Sequence, residues 1–226
     1  MKLSRFAFLI PAYNEERNIE KVVKYSKRFS KNIIVIDDGS KDRTAEIAKK
    51  SGAIVLRHNM NKGKGEALKT GFKYLLNKNF DSIAIIDADM QYSPKEALKL
   101  IKELNGADFV MGYRNFSNVP FRHRLGNFVW TTTFNILFGT KLKETNCGLF
   151  AIKRSTLKKI NINKIYGGYI IENSLLAEMV KKKLRVKQLL VNVEYKKISG
   201  VLRGIRIEAG VLIFILREGL AYRLSK

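Results

Sequence analysis

Two aspartates, Asp87 and Asp89, directly follow a short apolar run at residues 83–86. Four consecutive apolar residues predict a strand that is buried on both faces. In an open α/β sheet, ligands bind beyond the carboxyl ends of the strands, which is where these two carboxylates would stand. Asp-x-Asp spacing is suited to a hard divalent cation that also binds the phosphates of a ligand. The sequence therefore predicts a metal and diphosphate site at this strand end.

A second acidic pair, Asp37 and Asp38, follows another apolar run at residues 33–36. Acidic residues after a strand also occur simply as turn formers. In a parallel sheet, however, both pairs would converge on one edge, where four carboxylates would repel one another. We expect such a cluster to be stabilised by a bound cation or by hydrogen-bond donors of a sugar and a base.

The composition limits the class of protein. The 226 residues carry 43 Lys and Arg against 20 Asp and Glu, a net charge of +23, which indicates an anionic partner: nucleic acid, an acidic membrane surface or phosphorylated substrates. A hydrophobic content of 46% excludes a disordered chain. Cys147 as the one cysteine excludes a disulfide framework and a cysteine metal cluster. We expect no signal sequence and no membrane span, since no apolar run is long enough.

Apolar runs and amphipathic segments alternate through the first half of the chain. This order predicts an α/β fold with a mostly parallel, doubly wound sheet flanked by helices. The predicted strands lie at residues 6–10, 33–36, 53–56, 83–86, 109–112, 147–152 and 186–195. The later helices are predicted at residues 125–138, 172–182 and 205–224.

Four motifs follow one another at a characteristic spacing. They are Pro11-Ala12-Tyr13-Asn14-Glu15, Asp37-Asp38-Gly39-Ser40-x-Asp42-x-Thr44, Asn61-Lys62-Gly63-Lys64-Gly65 and Asp87-Ala88-Asp89-Met90-Gln91. Together they resemble family 2 glycosyltransferases, whose fold is the Rossmann-like GT-A fold. Within that family the chain is similar to the dolichyl- and polyprenyl-phosphate glycosyltransferases, the group that includes dolichyl-phosphate mannose synthase. The resemblance extends over about residues 5–200.

The resemblance implies a donor site for a nucleotide sugar, either GDP-mannose or UDP-glucose. Its implied residues surround the base, the ribose and the diphosphate: Pro11, Tyr13, Glu15, Ile36, Asp38, Lys64, Asp87 and Ala88. It also implies a metal set of Asp87, Asp89 and Gln91 that holds Mg²⁺ or Mn²⁺, with Asp89 acting in catalysis. A cation there would neutralise the nucleoside diphosphate as it leaves.

The implied acceptor site contains arginines. Gly112-Tyr113-Arg114 resembles a Gly-Ser-Arg sequence of relatives, and either Arg122 or Arg124 matches a second arginine. In the family these arginines bind the phosphate of the acceptor, for which a planar guanidinium is well suited, and Arg114 is predicted to act in catalysis. The alternative for any one arginine is a solvated surface position.

Three weaker matches lie later in the chain. Residues 144–150 stand where relatives carry Asp-x-x-Ser-Gly-Phe, with Cys147 in place of serine, and we expect a buried core thiol there. Glu172 matches an acidic position in the next helix. A basic residue that closes over the diphosphate is matched by Lys196, Lys197 or Arg203.

The acceptor decides the mechanism. A sugar hydroxyl needs a general base because its pKa is far above 7, whereas a lipid phosphate is already an anionic nucleophile. The sequence therefore predicts transfer of a hexose to a dolichyl or polyprenyl phosphate in one displacement, with inversion. An enzymatic alternative is transfer to a sugar or protein hydroxyl, with Glu172 as base. A non-enzymatic alternative is a basic nucleic-acid-binding protein, although its lysines are spread through nearly every helix.

The two late helices concern membrane contact. Residues 125–138 leave little polar surface, and residues 205–224 are apolar with interspersed basic residues, which favours helices lying in the interface of an anionic bilayer. The alternative is that both helices pack on the sheet or in a dimer. We expect a catalytic domain at residues 1–200 and a C-terminal amphipathic helix at residues 201–226. The expected location is the cytoplasmic face of the membrane, with peripheral contact made directly or through an anchoring partner.

Overall fold

The computed structural model describes the backbone of residues 5–115, 121–194 and 201–225, and their side chains except at residues 121–123, 169 and 201–208. The strands are β1 (Phe6–Ala12), β2 (Ile33–Asp37), β3 (Ile54–Arg57), β4 (Ser82–Ile85), β5 (Phe109–Arg114), β6 (Phe150–Lys153) and β7 (Val186–Val191). The helices are α1 (Ile19–Ser26), α2 (Thr44–Lys50), α3 (Lys64–Leu76), α4 (Pro94–Glu103), α5 (Phe121–Phe138), α6 (Arg154–Leu157), α7 (Ile171–Lys181) and α8 (Val201–Leu224).

The strands of the described residues form one sheet in the order β3-β2-β1-β4-β6-β5-β7. All neighbouring pairs are parallel except those of β6, which runs antiparallel to β4 and β5. Every residue of β1, β2 and β4 is buried, as helices on both faces of a parallel sheet require. The predicted α/β fold with a mostly parallel sheet is confirmed.

The antiparallel strand β6 lies between the two halves of the sheet, and its direction matters for the site. The predicted strand at residues 147–152 instead begins at Phe150. Because β6 starts at the edge where β4 and β5 end, the segment before it, residues 139–149, arrives at that edge. This segment therefore joins the acidic turn after β4 at the side of the sheet where ligands bind.

Helices α5 and α8 pack against each other through one face each. The rings of Phe138 and Tyr222 stack at 5.4 Å between centroids, and a Cβ added at Gly219 would lie 2.6 Å from the Cβ of Leu137. Both helices begin four residues earlier than predicted, at Phe121 and Val201. The predicted domain boundary at residue 200 stays a prediction.

The outer faces of α5 and α8 carry most of the exposed large apolar side chains of the described residues. Eight of the thirteen lie there: Leu125, Phe128, Val129, Ile136, Ile213, Leu216, Leu220 and Leu224. Their spacing of three or four residues on α8, and of three, four or seven residues on α5, makes one apolar stripe on each helix. Among the described residues, none of the helices has the length and apolarity that crossing a bilayer requires.

Candidate active site

A cleft of about 490 Å³ opens at the carboxyl ends of β1, β2 and β4. It is lined by Pro11, Ala12, Tyr13, Glu15, Asp38, Asn61, Gly63, Lys64, Ala67, Asp87, Ala88, Asp89 and Gly168. The lining includes seven of the eight residues that the sequence assigned to the nucleotide sugar. Ile36 is the exception, because it lies in β2 with its side chain fully buried.

Asp38 is held in place by three donors at the back of this cleft. The backbone N–H groups of Lys62 and Gly63 donate to its two carboxylate oxygens at 3.0 and 2.7 Å. The Nδ1 atom of His58 lies 2.6 Å from Oδ1, and the Nε2 atom of the same ring lies 2.9 Å from the hydroxyl of Thr70. Asp38 thus fixes the loop that enters α3, and that loop forms one wall of the cleft.

Asp37 does not line the cleft, which corrects the expectation of four clustered carboxylates. It is fully buried, its Oδ2 atom lies 2.9 Å from Nε of Arg57, and its Oδ1 atom accepts the backbone N–H of Ser40. Adjacent residues of a strand point to opposite faces, so Asp37 and Asp38 cannot both face the same ligand. Asp37 instead stabilises the turn after β2.

Lys64 links two carboxylates from distant parts of the chain. Its ammonium group lies 2.7 Å from Asp87 and 2.9 Å from Glu172, which is only 5% exposed at the start of α7. Burial alone would lower the pKa of Lys64, but the charges of Asp87 and Glu172 outweigh burial and raise it. Lys64 therefore stays protonated and neutralises the acidic turn.

Asp89 is the second carboxylate of the turn and is partly desolvated. Its Oδ1 atom accepts the backbone N–H of Gln91 at 2.9 Å. Burial raises the pKa of Asp89, and the negative charges of Asp87 and Glu15 raise it further. Gln91 does not line the cleft, and its carbonyl accepts the N–H of Glu194. The structure thus brings together Asp87 and Asp89 of the predicted metal set but not Gln91.

The donor set at this turn fits a divalent cation that is shared with a ligand. Among the described residues, no three histidine, cysteine or acidic side chains stand close enough to form a complete metal site. Two carboxylates next to an open cleft are what Mg²⁺ or Mn²⁺ needs when phosphate oxygens and water complete the coordination. The carboxylates of Asp87 and Asp89 would hold such an ion.

Arg114 lies at the end of β5 and is fixed by Glu144. The carboxylate of Glu144, which has no exposed surface, accepts the backbone N–H of Arg114 at 2.9 Å and its Nε–H at 2.8 Å. An Nη2–H of the same guanidinium also donates to it. Burial opposes the charge of Arg114, but Glu144 outweighs burial and raises the pKa of the guanidinium. This is a charge-assisted pair in which both guanidinium donors bind Oε1 of Glu144 and the backbone N–H binds Oε2.

Cys147 is buried, as predicted for a core thiol. Its sulfur lies 3.4 Å from the hydroxyl of Tyr92, and burial raises the pKa of the thiol to about 12.

The segment at residues 144–149 contacts both Arg114 and the acidic turn after β4. Nη2 of Arg114 lies 3.4 Å from the carbonyl of Asn146, and a Cβ on Gly148 would lie 2.3 Å from Oδ2 of Asp87.

Of the other basic residues that the sequence predicted for the site, only Arg124 has a described side chain. Arg124 is exposed on the first turns of α5 and does not line the cleft. The side chains of Arg122 and Arg203 and the whole of Lys196 and Lys197 lie outside the described residues.

Three contributors to this site were given no role in it from the sequence: His58, Gly168 and Gly148, the last of which was noted only as part of a motif. His58 directly follows β3 at the ligand edge of the sheet, a position that could have marked it. Glu144 was noted as a motif position, but its pairing with Arg114 had no signal because 30 residues separate them. Gly148 and Gly168 act through lack of a side chain, which a single sequence does not reveal.

Comparison with known proteins identifies the family of this chain. The model of glycosyl transferase family 2 matches residues 7–160, so the chain belongs to that family. An uncharacterized protein of Methanocaldococcus jannaschii is 34% identical over 83% of this chain and 87% of its own length. The UDP-N-acetylglucosamine–dolichyl-phosphate N-acetylglucosaminyltransferase of Methanococcus voltae is 29% identical over 91% of this chain and 92% of its own.

A solved structure shares the fold. Glucosyl-3-phosphoglycerate synthase of Mycobacterium tuberculosis, crystallised with Mn²⁺, UDP-glucose and phosphoglyceric acid, superposes with a TM-score of 0.79 at 23% identity. The match covers 96% of this chain and 80% of that one. The likeness supports the GT-A fold that the sequence resemblance implied.

Proposed function

We propose that this protein transfers a hexose from GDP-mannose or UDP-glucose to a dolichyl or polyprenyl phosphate, with inversion at the anomeric carbon. The observation that carries the choice of acceptor is the ion pair between Lys64 and Glu172, which are 2.9 Å apart, with Glu172 itself buried. A general base for a hydroxyl acceptor must reach the proton it removes. Glu172, the acid that the sequence offered for that role, is instead engaged by an ammonium group.

The donor half of the mechanism uses the cleft. Pro11, Tyr13 and Asp38 are proposed to surround the base and ribose, and Asp87 and Asp89 to hold the diphosphate through a cation, since all five residues line the cleft. A divalent cation bound there supplies positive charge to the leaving diphosphate. The ammonium of Lys64, next to the same turn, adds a second positive charge to that end of the cleft.

The acceptor half uses Arg114. A phosphate monoester is anionic at neutral pH, so its oxygen can attack the anomeric carbon without losing a proton to the protein. It needs positive charge that holds it beside the donor, and a guanidinium fixed by Glu144 is oriented before the substrate arrives. Single displacement from the face opposite the diphosphate gives inversion.

The outer faces of α5 and α8 support the location of this reaction at a membrane surface. Two adjacent apolar stripes are accompanied by the exposed Arg124, Arg217 and Arg223. An apolar face with basic residues beside it is typical of helices that lie in the interface of an anionic bilayer. The cytoplasmic face is the proposed location, and contact there would bring the cleft to a lipid acceptor.

A transfer assay tests the proposed function. Radiolabelled GDP-mannose and UDP-glucose are each offered with a short polyprenyl phosphate, with and without Mn²⁺. The expected result is label in the organic phase with one of the two donors, and only when Mn²⁺ is present. Asp89→Ala should abolish it, while Glu46→Ala on the exposed side of α2 serves as the matched control.

Two other outcomes would contradict the proposal. Transfer to a free sugar or a peptide with none to the lipid phosphate would identify a hydroxyl acceptor. Tight, salt-sensitive binding to DNA or RNA, with no binding of nucleoside diphosphates, would favour a nucleic-acid-binding protein.

A further inference from the structure

Gly168 lines the donor cleft and Gly167 directly precedes it, and we name this pair the Gly167–Gly168 wall. Gly168 lines the cleft with a φ of +67°, a conformation that costs glycine little. Gly167 lies against the start of α3, since a Cβ on Gly65 would be 2.3 Å from the Cα of Gly167. Two glycines do not specify their own backbone conformation, so their neighbours must fix this wall.

The residue before the glycines, Tyr166, contacts α8. Its ring meets that of Phe214 edge to face, with centroids 5.0 Å apart. The guanidinium of Arg217 stands 4.9 Å from the centre of the Tyr166 ring and also donates to its hydroxyl. The backbone N–H of Tyr166 donates to the hydroxyl of Ser174 in α7 at 3.0 Å.

The contacts of Tyr166 do more than bury apolar surface in the core. Tyr166 is 40% exposed, so its ring contributes less apolar burial than a core aromatic would. An edge-to-face ring pair and a cation over a ring are directional, and each fixes the position of the ring. The ring pair with Phe214 and the contact with Arg217 therefore fix the start of the Gly167–Gly168 wall relative to α8.

We propose that Tyr166 is a positioning residue for the donor site: by holding α8 through Phe214 and Arg217, it sets the Gly167–Gly168 wall of the cleft. This inference rests on the proposed function, because it takes a nucleoside diphosphate as the occupant of the cleft. It adds that α8, whose outer face carries an apolar stripe, is joined to the donor site through the side chain of Tyr166.

The test is a titration calorimetry series with UDP and with GDP, each in the presence of Mn²⁺. Tyr166→Ala should raise the Kd of the bound nucleotide about five-fold, because the free protein then holds the wall in its binding position only about one fifth of the time. Tyr166→Phe keeps the contact with Phe214 and should stay within about two-fold of the unchanged protein. Arg217→Gln should weaken binding in the same direction as Tyr166→Ala.

Lys181→Gln is the matched control, because it removes a contact between α7 and α8 that does not involve Tyr166. This contact is the 2.7 Å ion pair of Lys181 with Glu218. The Kd of Lys181→Gln should not change. Equal Kd values for Tyr166→Ala and the unchanged protein would overturn the inference, and so would equal losses in Tyr166→Ala and Lys181→Gln. Absence of nucleotide binding in the unchanged protein would overturn the proposed function as well, which separates the two failures.

Discussion

Gly148 has no room for a side chain beside Asp87. A Cβ placed on Gly148 would lie 2.3 Å from Oδ2 of Asp87 and 2.9 Å from the ammonium nitrogen of Lys64. The backbone before β6 therefore lies directly on the acidic turn after β4. This contact joins the segment that contains Glu144 to the carboxylates of the donor cleft.

Gly148→Ala should weaken nucleotide binding by about ten-fold, or about 1.4 kcal/mol, because the side-chain ends of Asp87 and Lys64 must move aside. The added methyl group would displace the carboxylate of Asp87. Calorimetric titration with UDP or GDP and Mn²⁺ measures the effect. Gly106→Ala is the control, because a Cβ there meets nothing within 4 Å. Unchanged affinity in Gly148→Ala would show that Asp87 does not contact the diphosphate.

Glu172→Gln distinguishes a positioning role from a catalytic base. With a phosphate acceptor we expect transfer to fall by less than about ten-fold, whereas loss of a general base typically costs about 10²–10⁴-fold. The ion pair of Lys64 with Asp87 remains in this variant. Initial rates at saturating donor measure the change. A loss of a thousand-fold would identify Glu172 as the base and favour a hydroxyl acceptor.

Arg114→Ala should lower the free energy of unfolding by about 3–5 kcal/mol, because it leaves the fully buried carboxylate of Glu144 without its guanidinium. Urea denaturation measures this. Lys187→Ala breaks the exposed pair with Glu103 and should cost at most about 1 kcal/mol. Similar losses of unfolding free energy in Arg114→Ala and Lys187→Ala would contradict the burial of the pair between Arg114 and Glu144.

Replacing both members of the buried pair separates stability from activity. Arg114→Met combined with Glu144→Leu should recover most of the lost stability, because no charge is left buried without a partner. Transfer to the lipid phosphate should still be lost, while nucleotide binding is retained. A folded double variant with normal transfer would show that Arg114 does not bind the acceptor.

Cys147 should be almost inert to thiol reagents in the folded protein. Burial raises the pKa of its thiol to about 12, so the reactive thiolate is scarce at pH 8. We expect labelling by a disulfide reagent to be slow in buffer and complete in urea, which exposes the chain. Absorbance of the released thiol follows both reactions. Rapid labelling of the folded protein would show that Cys147 is accessible.

The sheet and the donor cleft could be predicted because their signals are local. Apolar runs that end in acidic or glycine-rich turns identify β1, β2 and β4 together with the residues directly after them. Pro94 after Ser93 marked the start of α4, and the helix begins there. The direction of β6 had no such signal, because the four apolar residues of a buried strand read alike in either direction.

The incorrect expectations concern contacts between distant residues. Neighbouring acids were grouped by sequence, but the alternation of a strand sends Asp37 to Arg57 and leaves Asp38 to the cleft. Gln91, which was grouped with Asp89 by spacing, does not line the cleft, and its place in the metal set stays a prediction. The partners of Arg114 and Lys64 lie 30 and 108 positions further along the chain, beyond the reach of local patterns.

The composition of the cleft lining also has an evolutionary consequence. Twelve of its thirteen residues come from the first 89 positions, and Gly168 alone comes from the second half. Arg114, Glu144 and the helices α5 and α8 all follow position 108. A recombination event between α4 and β5 would therefore exchange the residues proposed for the acceptor while keeping almost the whole donor cleft. The fit of Gly167 on Gly65, of Gly148 on Asp87 and of Glu172 on Lys64 would have to survive the exchange, as would the pairing of β6 with β4.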